Sequence, residues 1–442
     1  MLKADDTIAA VATPMGEGGI AIVRVSGKDS LAILQKVFFP KKNVKCFRPG
    51  LMHYGYVKDD KNNDIDEAMA VYFRAPFSYT REDVCEIHTH AGVCAEMVLE
   101  RLIRAGARPA ERGEFTYRAF LNGRISLDRA EAVMSLISAQ SAEAAKKSLS
   151  QLKNGCSSVI RESVDELKDL LTLIDAAADF PEEIDEEVTA ERVRSVSEKI
   201  ARGLKRISDP AYARVLRRGV QVVIAGAPNA GKSSIMNRLL SFDRSIVTDV
   251  PGTTRDVISE SVSLKGLKIT LSDTAGIRET PDEIERQGVR LAEKSIREAD
   301  VVLLIIDASE GELSPETKAL LEVKDERFIL VANKDDVKQL DVPGAIRVSA
   351  KTGEGIQLLS DEICRRAARD EDDEKLLTLR HIESADAARK ILEDMLKTAD
   401  ATPLDLLRED VTQAMEQLCK ITGENLSESV IDAIFENFCV GK

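Results

Sequence analysis

The feature of this sequence that most constrains its fold is the run GAPNAGKS at residues 226–233, which lies between an apolar segment and a helical pattern. It matches the pattern G-x-x-x-x-G-K-[ST], which requires a strand before the loop and a helix after it. In that setting the N–H groups of the loop and of the helix N-terminus can hold phosphate oxygens. Lys232 can then neutralise the β- and γ-phosphate oxygens, and Ser233 can ligate Mg²⁺.

The segment 216–365 around this loop alternates between short apolar runs and helical patterns. The runs that we predict to be strands are 220–225, 268–271, 301–306, 328–332 and 346–348. Such alternation is typical of a mostly parallel sheet with crossover helices. We therefore predict an α/β domain that carries the phosphate loop after its first strand.

Three further motifs follow predicted strands of this domain: DTAG at 273–276, NKDD at 333–336 and SAK at 349–351. Asp273 can hold Mg²⁺ through water, and the Gly276 N–H can reach the γ-phosphate. The Asp336 carboxylate suits the N1–H and N2–H₂ donors of guanine, a donor pair that adenine lacks, and the Ala350 N–H can meet guanine O6. The sequence therefore predicts guanine-nucleotide binding. The predicted residues are Asn229, Ala230, Gly231, Lys232, Ser233, Ser234, Asp273, Thr274, Ala275, Gly276, Asn333, Lys334, Asp336, Ser349, Ala350 and Lys351.

These motifs resemble those of the translation-factor-related GTPases, with one departure from Ras-like proteins. Ras-like proteins orient the attacking water with a glutamine after the D-x-x-G motif, whereas this chain has Ile277 there. Asn229 and the segment 248–256 instead resemble the potassium-dependent GTPases. That resemblance implies that K⁺ is held by Asn229, Thr248, Val250 and Thr253, and that Thr254 is the second protein ligand of Mg²⁺. It adds to the nucleotide-binding residues Thr248, Asp249, Val250, Pro251, Gly252, Thr253 and Thr254.

The rest of the chain divides into one mixed and two helical segments. The first 120 or so residues mix strand-like runs with helical stretches such as 93–104, which predicts a small α/β domain. Ile160, Val164, Leu167, Leu171 and Ile174 form one apolar stripe on a helix. Similar stripes return after an acidic run at 370–374; they are Ala385, Ala388, Leu392 and Met395, and then Leu407, Val411, Ala414 and Leu418. We infer one helical domain, split in sequence by the α/β domain, although two separate bundles would show the same spacing.

Charge and composition limit the other functions that the chain can have. The net charge is −14, which excludes nucleic-acid binding through a general positive field and leaves only local basic patches. The arginine-rich segments 101–129 and 202–218 are candidates for contacts with RNA, or are ordinary charged helix surfaces. The longest aliphatic run, 301–306, is far shorter than the roughly 18 residues of a membrane helix. Because the N-terminus does not resemble a signal peptide and the seven cysteines lack C-x-x-C spacing, we expect reduced thiols in the cytoplasm.

Residues 6–27, with DTIAA, ATP, GG and RVSG, resemble the start of the MnmE (TrmE) family of tRNA-modification GTPases. The runs RPAERGEFT at 108–116 and AFLNGR at 119–124 are similar to its next signature. The segment FCVGK at 438–442 is similar to its C-x-G-K terminus. The resemblance covers the whole chain. It implies a tetrahydrofolate-binding and dimerisation domain at 1–120, helical parts at 121–213 and 371–442, and an inserted Ras-like P-loop GTPase domain at 216–370.

The resemblance also implies an activity and its partners. Members work with the flavoprotein MnmG on tRNA, as homodimers, and add a (carboxymethyl)aminomethyl group to C5 of the wobble uridine. The carbon comes from 5-formyl- or 5,10-methylene-tetrahydrofolate, and the matching folate positions are Arg24, Glu82, Arg124 and Lys442. Position 124 is lysine in some members. Arg124 keeps the positive charge of that lysine but not the length of its side chain. Glu285 falls on the catalytic glutamate of the family, which positions the hydrolytic water indirectly, and Lys232 is the other predicted catalytic residue.

The sequence leaves two other functions possible, and it does not decide the role of one residue, Cys439. The chain could be a ribosome-assembly GTPase, although such proteins usually carry a basic RNA-binding appendage, or a folate-dependent methyltransferase with a regulatory GTPase domain. Cys439 could be a nucleophile or an acid near the folate, or a structural thiol. A reactive thiolate would require a lowered pKa, which no sequence pattern reveals.

Overall fold

The computed structural model describes residues 6–42, 46–242, 259–273, 295–309, 325–337, 342–367, 375–399, 402–424 and 426–441. The chain forms two compact units. The first consists of Met1–Met134 with Met415–Lys442, and the second is Ser135–Ala414. The N-terminal unit is therefore completed by residues that follow the entire second unit in sequence.

The described strands and helices have the following bounds. The strands are β1 Ile8–Val11, β2 Ala21–Ser26, β3 Phe38–Pro40, β4 Met52–Lys58, β5 Asp64–Phe73, β6 Val84–Thr89, β7 Arg108–Pro109, β8 Val220–Gly226, β9 Ser259–Leu264, β10 Leu267–Asp273, β11 Val301–Asp307, β12 Phe328–Asn333 and β13 Ile346–Arg347. The helices are α1 Ser30–Val37, α2 Val93–Arg104, α3 Glu114–Leu121, α4 Leu127–Ile137, α5 Ala142–Asn154, α6 Ser158–Asp179, α7 Glu186–Ile207, α8 Pro210–Arg218, α9 Lys232–Phe242, α10 Ile356–Ala367, α11 Leu379–Thr398, α12 Leu404–Thr422 and α13 Glu428–Phe435.

The first unit is built on a seven-stranded sheet with the order β3-β4-β5-β6-β2-β1-β7. Its neighbours pair antiparallel, except that β7 pairs parallel with β1. Apolar residues of α1 and α2, among them Leu34 and Val98, pack with Val23 and Ile87 of the sheet in one core. The helix predicted at 93–104 is confirmed as α2.

A second core of this unit joins α3 and α4 to the C-terminal helix α13. Tyr117, Leu127 and Ala130 pack there with Phe435 and Phe438. The Tyr117 and Phe435 rings meet edge-on at 5.2 Å between centroids, a geometry that aromatic pairs favour. The C-terminal segment is thus part of the N-terminal unit by packing.

The second unit contains a six-stranded sheet with the order β13-β12-β11-β8-β10-β9. Its strands pair parallel except for β9, which runs antiparallel to β10. All seven residues of β11 are buried, as expected for a strand that is covered on both faces. Every predicted strand of this region is confirmed, and β9 is one that we did not predict.

The helical part of the same unit lies on both sides of this sheet domain in sequence. Helix α11 packs on α7, and the Leu376 N–H donates to the Ile207 carbonyl at 3.1 Å. The two helical segments therefore form one split domain, as predicted. The stripe predicted on α6 is right except at Leu171, which is only partly buried. Leu170 is buried beside it, because a helix of 3.6 residues per turn drifts away from a strict 4-3-4-3 spacing.

Two further features concern the cysteines and the helices. No disulfide joins any of the seven cysteines. Within the described ranges, every helix is too short or too polar to cross a membrane.

Candidate functional site

The phosphate loop joins the end of β8 to the start of α9 and depends on two glycines. Gly226 has φ +147°, and a Cβ there would lie 2.3 Å from the Ile305 carbonyl oxygen. Gly231 has φ +91°, and a Cβ there would lie 2.2 Å from Asn333 Nδ2. Since both contacts are impossible for a side-chain carbon, the loop can hold this close approach only with glycine.

Lys232 opens α9 and places its ammonium group inside the curve of the loop. Its Nζ donates to the Gly226 carbonyl at 3.1 Å and to the Ala227 carbonyl at 2.8 Å. Ser233 and Ser234 follow in the first turn of α9, where backbone N–H groups add to the positive potential. The predicted cation, hydroxyl and backbone donors are therefore at one end of one helix.

Asn333 connects three of the predicted motifs. Its Nδ2 donates to the Ala230 carbonyl at 2.9 Å, and its Oδ1 accepts from the Ala350 N–H at 3.1 Å. The side chain is buried, so both hydrogen bonds are sheltered from water. The phosphate loop, the NKDD loop and the SAK loop are thus held together by one amide.

The predicted guanine ligand Asp336 is oriented by Ser349, whose Oγ donates to Asp336 Oδ1 at 2.7 Å. Lys334, with φ +66°, places its Nζ 2.5 Å from Asp307 Oδ2. Burial opposes ionisation of Asp307, but hydrogen bonds from Lys334 and Ser309 outweigh it and lower the pKa of Asp307. We did not predict Asp307, although its place at the carboxyl end of a buried strand could have suggested it.

Several predicted residues lie outside the described part of the chain. They are Thr248, Asp249, Val250, Pro251, Gly252, Thr253, Thr254, Thr274, Ala275, Gly276, Glu285 and Lys442. Asp273 is described only as the last backbone position of β10. The Mg²⁺ role of Thr254, the K⁺ carbonyls and the catalytic role of Glu285 stay predictions.

A second candidate site is a cavity of about 530 Å³ in the first unit. Its walls include Phe73, Phe77, Tyr79, Arg81, Glu86 and Arg124. The Tyr79 ring lies 5.4 Å from the Arg24 guanidinium and 4.6 Å from that of Arg124. Arg24 donates to Glu86 Oε1 at 2.9 Å, while its Nη1 is buried without a hydrogen-bond partner among the described residues. The cavity wall thus offers aromatic surface and the Arg124 cation, and Arg24 contacts two of the wall residues, Tyr79 and Glu86.

Glu82, the third predicted folate residue, is fixed by two donors in the same unit. Ser26 Oγ donates to Glu82 Oε2 at 2.7 Å, and the buried Arg118 lies 3.3 Å from the same carboxylate. Arg118 also donates to Asp6 at 2.6 Å and to the fully buried Glu114 at 2.9 Å. We did not predict Arg118, although its i,i+4 spacing from Glu114 was visible in the sequence.

The C-terminal residues run along the first unit next to β1. Val440 forms an antiparallel bridge with Arg112, and the Cys439 carbonyl accepts from the Gly113 N–H at 3.2 Å. Gly441 has φ +88°, and a Cβ there would lie 2.4 Å from the Val11 carbonyl oxygen. Strand β1 pairs with β2, which carries Arg24. The thiol-bearing Cys439 is exposed.

Two protein families match the chain. The family described as "GTP-binding protein TrmE N-terminus" matches residues 7–124, and the family described as "MnmE helical domain" matches residues 127–439. The tRNA modification GTPase MnmE of Acetivibrio thermocellus is 40% identical, and the match covers 99% of each chain. The protein of the same name from Aquifex aeolicus is 39% identical over 99% of this chain and 100% of that protein.

Among solved structures, the G domain of the T. maritima FeoB iron transporter is 28% identical to the matching part of this chain. The match covers 34% of this chain and 99% of that chain, with a TM-score of 0.25. Since this score is low, we conclude nothing from the likeness.

Proposed function

The chain belongs to the MnmE family of tRNA modification GTPases, and we propose a specific reaction for it. It hydrolyses GTP and, together with the flavoprotein MnmG, adds a (carboxymethyl)aminomethyl group to C5 of the wobble uridine of tRNA. The added carbon comes from a tetrahydrofolate one-carbon unit. The single observation that best supports a guanine-nucleotide enzyme is the Asn333 side chain, which joins the phosphate loop to both base-recognition loops.

In the proposed nucleotide complex, each described residue has one task. Asp336, oriented by Ser349, accepts the N1–H and N2–H₂ donors of guanine. When the nucleotide binds, Lys232 replaces its hydrogen bonds to the Gly226 and Ala227 carbonyls with hydrogen bonds to phosphate oxygens. Little movement is needed because its ammonium group already lies inside the loop. Ser233, with Thr254 and a water on Asp273, would hold Mg²⁺, which supplies positive charge to the phosphate oxygens when bound.

The attacking water and the K⁺ ion are assigned to residues that match motifs of the family. Ile277 cannot orient a water, so we assign that task to Glu285, whose carboxylate is a suitable acceptor. Asn229, with φ +62° in the phosphate loop, would hold K⁺ together with Thr248, Val250 and Thr253. Bound K⁺ supplies the charge that an arginine finger gives in other GTPases.

For the folate unit we propose the 530 Å³ cavity of the first unit. The aromatic wall suits a flat pterin ring. Arg124 adds a cation to this wall. Arg24, which contacts the wall residues Tyr79 and Glu86, would donate to a pterin or formyl oxygen, and Glu82 would be an acceptor. Lys442 would close the site, a role that is supported by the position of Gly441 against Val11.

We also propose that the protein is a cytoplasmic homodimer that binds tRNA. The division into 1–120, 121–213, 216–370 and 371–442 stays our prediction for the domain boundaries.

The decisive experiment is mass analysis of wobble uridines in a strain that lacks this chain. We expect loss of the aminomethyl-type groups at C5, restored by the wild-type chain and not by Lys232→Ala. Intact modification would exclude the proposed function. If the chain were a ribosome-assembly GTPase, the strain that lacks it would keep its wobble-uridine modifications and show defective ribosomal subunits. If it were a folate-dependent methyltransferase, the strain would lose only methyl groups.

A further inference from the structure

Arg238 belongs to none of the nucleotide motifs of the sequence, yet its side chain reaches the SAK loop. It lies on α9, the helix that begins with Lys232. Its Nη2 donates to the Lys351 carbonyl at 3.1 Å. Because the guanidinium is charged, this hydrogen bond is stronger than one between neutral groups. Arg238 therefore joins the helix of the phosphate loop directly to a base-recognition loop.

The guanidinium of Arg238 also packs against Gly353 in the same loop. A Cβ at position 353 would lie 2.9 Å from Arg238 Nη2 and 3.2 Å from its Cζ. Gly353 has φ +89°, a conformation that favours glycine. The planar guanidinium can thus lie on the backbone of the loop because no side chain separates the two. An arginine suits this contact better than a lysine, whose ammonium group is not planar.

The hydrogen bond from Arg238 complements the one that Asn333 makes to the same loop. The Ala350 N–H donates to Asn333 Oδ1 at 3.1 Å, and the next carbonyl along the chain, that of Lys351, accepts from Arg238. These two hydrogen bonds hold the peptide units on either side of the pair Ala350–Lys351. The direction of the Ala350 N–H therefore depends on both Asn333 and Arg238.

We propose that Arg238 is a positioning residue for the recognition of guanine O6. The inference rests on the proposed function, in which the Ala350 N–H meets O6 of the base. Arg238 holds the peptide unit that follows Lys351, so that the Ala350 N–H keeps its direction towards that oxygen. Binding groups must be held within about 0.5 Å and 10–20° of the productive geometry, which requires such supporting contacts.

Competition of GDP and 6-thio-GDP for one fluorescent guanine nucleotide tests this proposal on the full chain with Mg²⁺. The two ligands differ only in the atom attached to C6, and sulfur accepts hydrogen bonds more weakly than oxygen. We expect the wild type to prefer GDP by about tenfold, which corresponds to one good hydrogen bond. Arg238→Met has a side chain without donors and should lose most of this preference through a lower affinity for GDP.

Two further variants make the comparison specific. Ser241→Ala, at an exposed position of the same helix, should keep the preference of the wild type. Arg238→Lys keeps a cationic donor on a shorter side chain and should show a preference between those of the wild type and Arg238→Met. If Arg238→Met does not fold, the comparison of Arg238→Lys with Ser241→Ala decides. Because both nucleotides compete for the same molecules, the ratio does not depend on the fraction that is folded.

The proposal is overturned if the Arg238 variants prefer GDP as strongly as Ser241→Ala does. That result includes an equal loss of affinity for both nucleotides, which is what a purely structural role of Arg238 would produce. A wild type that binds GDP and 6-thio-GDP equally well would contradict the role of Ala350 in the proposed function, and the inference would lose its premise. The two failures are therefore distinguishable.

Discussion

Asn333 Nδ2 lies 2.9 Å from the Ala230 carbonyl oxygen, and this hydrogen bond ties the base-recognition loop to the phosphate loop. The same side chain accepts the Ala350 N–H. Base recognition and phosphate binding are therefore mechanically coupled, and loss of this one amide should loosen both ends of the nucleotide site.

Replacing Asn333 by alanine should weaken GTP and GDP binding by tenfold or more. The substitution leaves the Ala230 carbonyl and the Ala350 N–H without their partner, and a buried unpaired group costs about 1–3 kcal/mol. Titration with a fluorescent guanine nucleotide measures the effect. Gln357→Ala, on the exposed face of α10, is the matched control, and equal affinities of the two variants would contradict the prediction.

Removing the Ser349 hydroxyl should reduce the preference for GTP over ITP. Ser349 Oγ fixes the Asp336 carboxylate, and inosine lacks the 2-amino group that this carboxylate accepts from. In Ser349→Ala we expect GTP affinity to fall several-fold more than ITP affinity. Competition of the two nucleotides for one fluorescent probe gives the ratio directly. An unchanged ratio would mean that Ser349 does not position Asp336.

GTP hydrolysis should require K⁺ and fall strongly in Na⁺, because Asn229 and several carbonyls must close around an ion of the right radius. Asn229→Ala should lose the K⁺ stimulation and keep most of its nucleotide affinity. Glu285→Ala should lower kcat with little change in affinity, because a water-orienting group acts mainly in the transition state. Steady-state rates in matched K⁺ and Na⁺ buffers separate the two roles. Equal wild-type turnover in both salts would exclude the K⁺ site, and a normal rate of Glu285→Ala would exclude that residue.

Asp6→Asn should destabilise the first unit at neutral pH and matter less in acid. The hydrogen bond from Arg108 and those from Arg118 outweigh burial and hold the pKa of Asp6 below its ordinary value. The stabilisation is therefore complete above the unfolded pKa of about 3.9 and disappears as pH falls through the lower folded pKa. Charge-assisted hydrogen bonds of this kind contribute about 1.5–3 kcal/mol. Urea midpoints of both proteins across this range test it, and a constant difference would contradict it.

Gly441→Ala should weaken binding of formyl-tetrahydrofolate about tenfold and leave GTP hydrolysis unchanged. The added carbon would lie 2.4 Å from the Val11 carbonyl oxygen, so the C-terminal residues must move away from β1. Removal of Gly441 and Lys442 should have at least the same effect. Calorimetry with Val440→Ala as control, a residue half exposed at 52%, checks this. Unaltered folate affinity of both variants would make the C-terminal residues bystanders.

The nucleotide domain could be predicted in detail because its signals are local. The strand at 301–306 reads as an uninterrupted aliphatic run, and each nucleotide motif directly follows such a run. In a parallel sheet the carboxyl ends of the strands meet at one edge, so order along the chain already implies proximity. Asn333 and Ser349 lie where this reasoning places them.

Other features depend on partners that are distant in sequence, and local patterns do not reveal them. Strand β9 has the sequence SESVSL, whose serines do not form a recognisable apolar strand pattern. The strand is defined by its pairing with β10, which the sequence of β9 alone does not show. Tyr79 gains its position between Arg24 and Arg124 only through the folded sheet. Arg118 pairs with Asp6 and Glu82, which no sequence period connects to it; only its third partner, Glu114, lies at a helical i,i+4 spacing.

The bridge between Arg112 and Val440 also joins two segments that are translated at widely separated times. Tyr117 and Leu127 are translated early, whereas Phe435, which covers them, emerges only after residues 135–414 have been made. The nascent N-terminal unit therefore keeps part of its apolar surface open on the ribosome, although domains generally fold as they emerge. Chains that stop before Phe435 would retain this open surface and become clients of chaperones and proteases. The C-terminal helix therefore completes the core of the N-terminal unit only after the second unit has been translated.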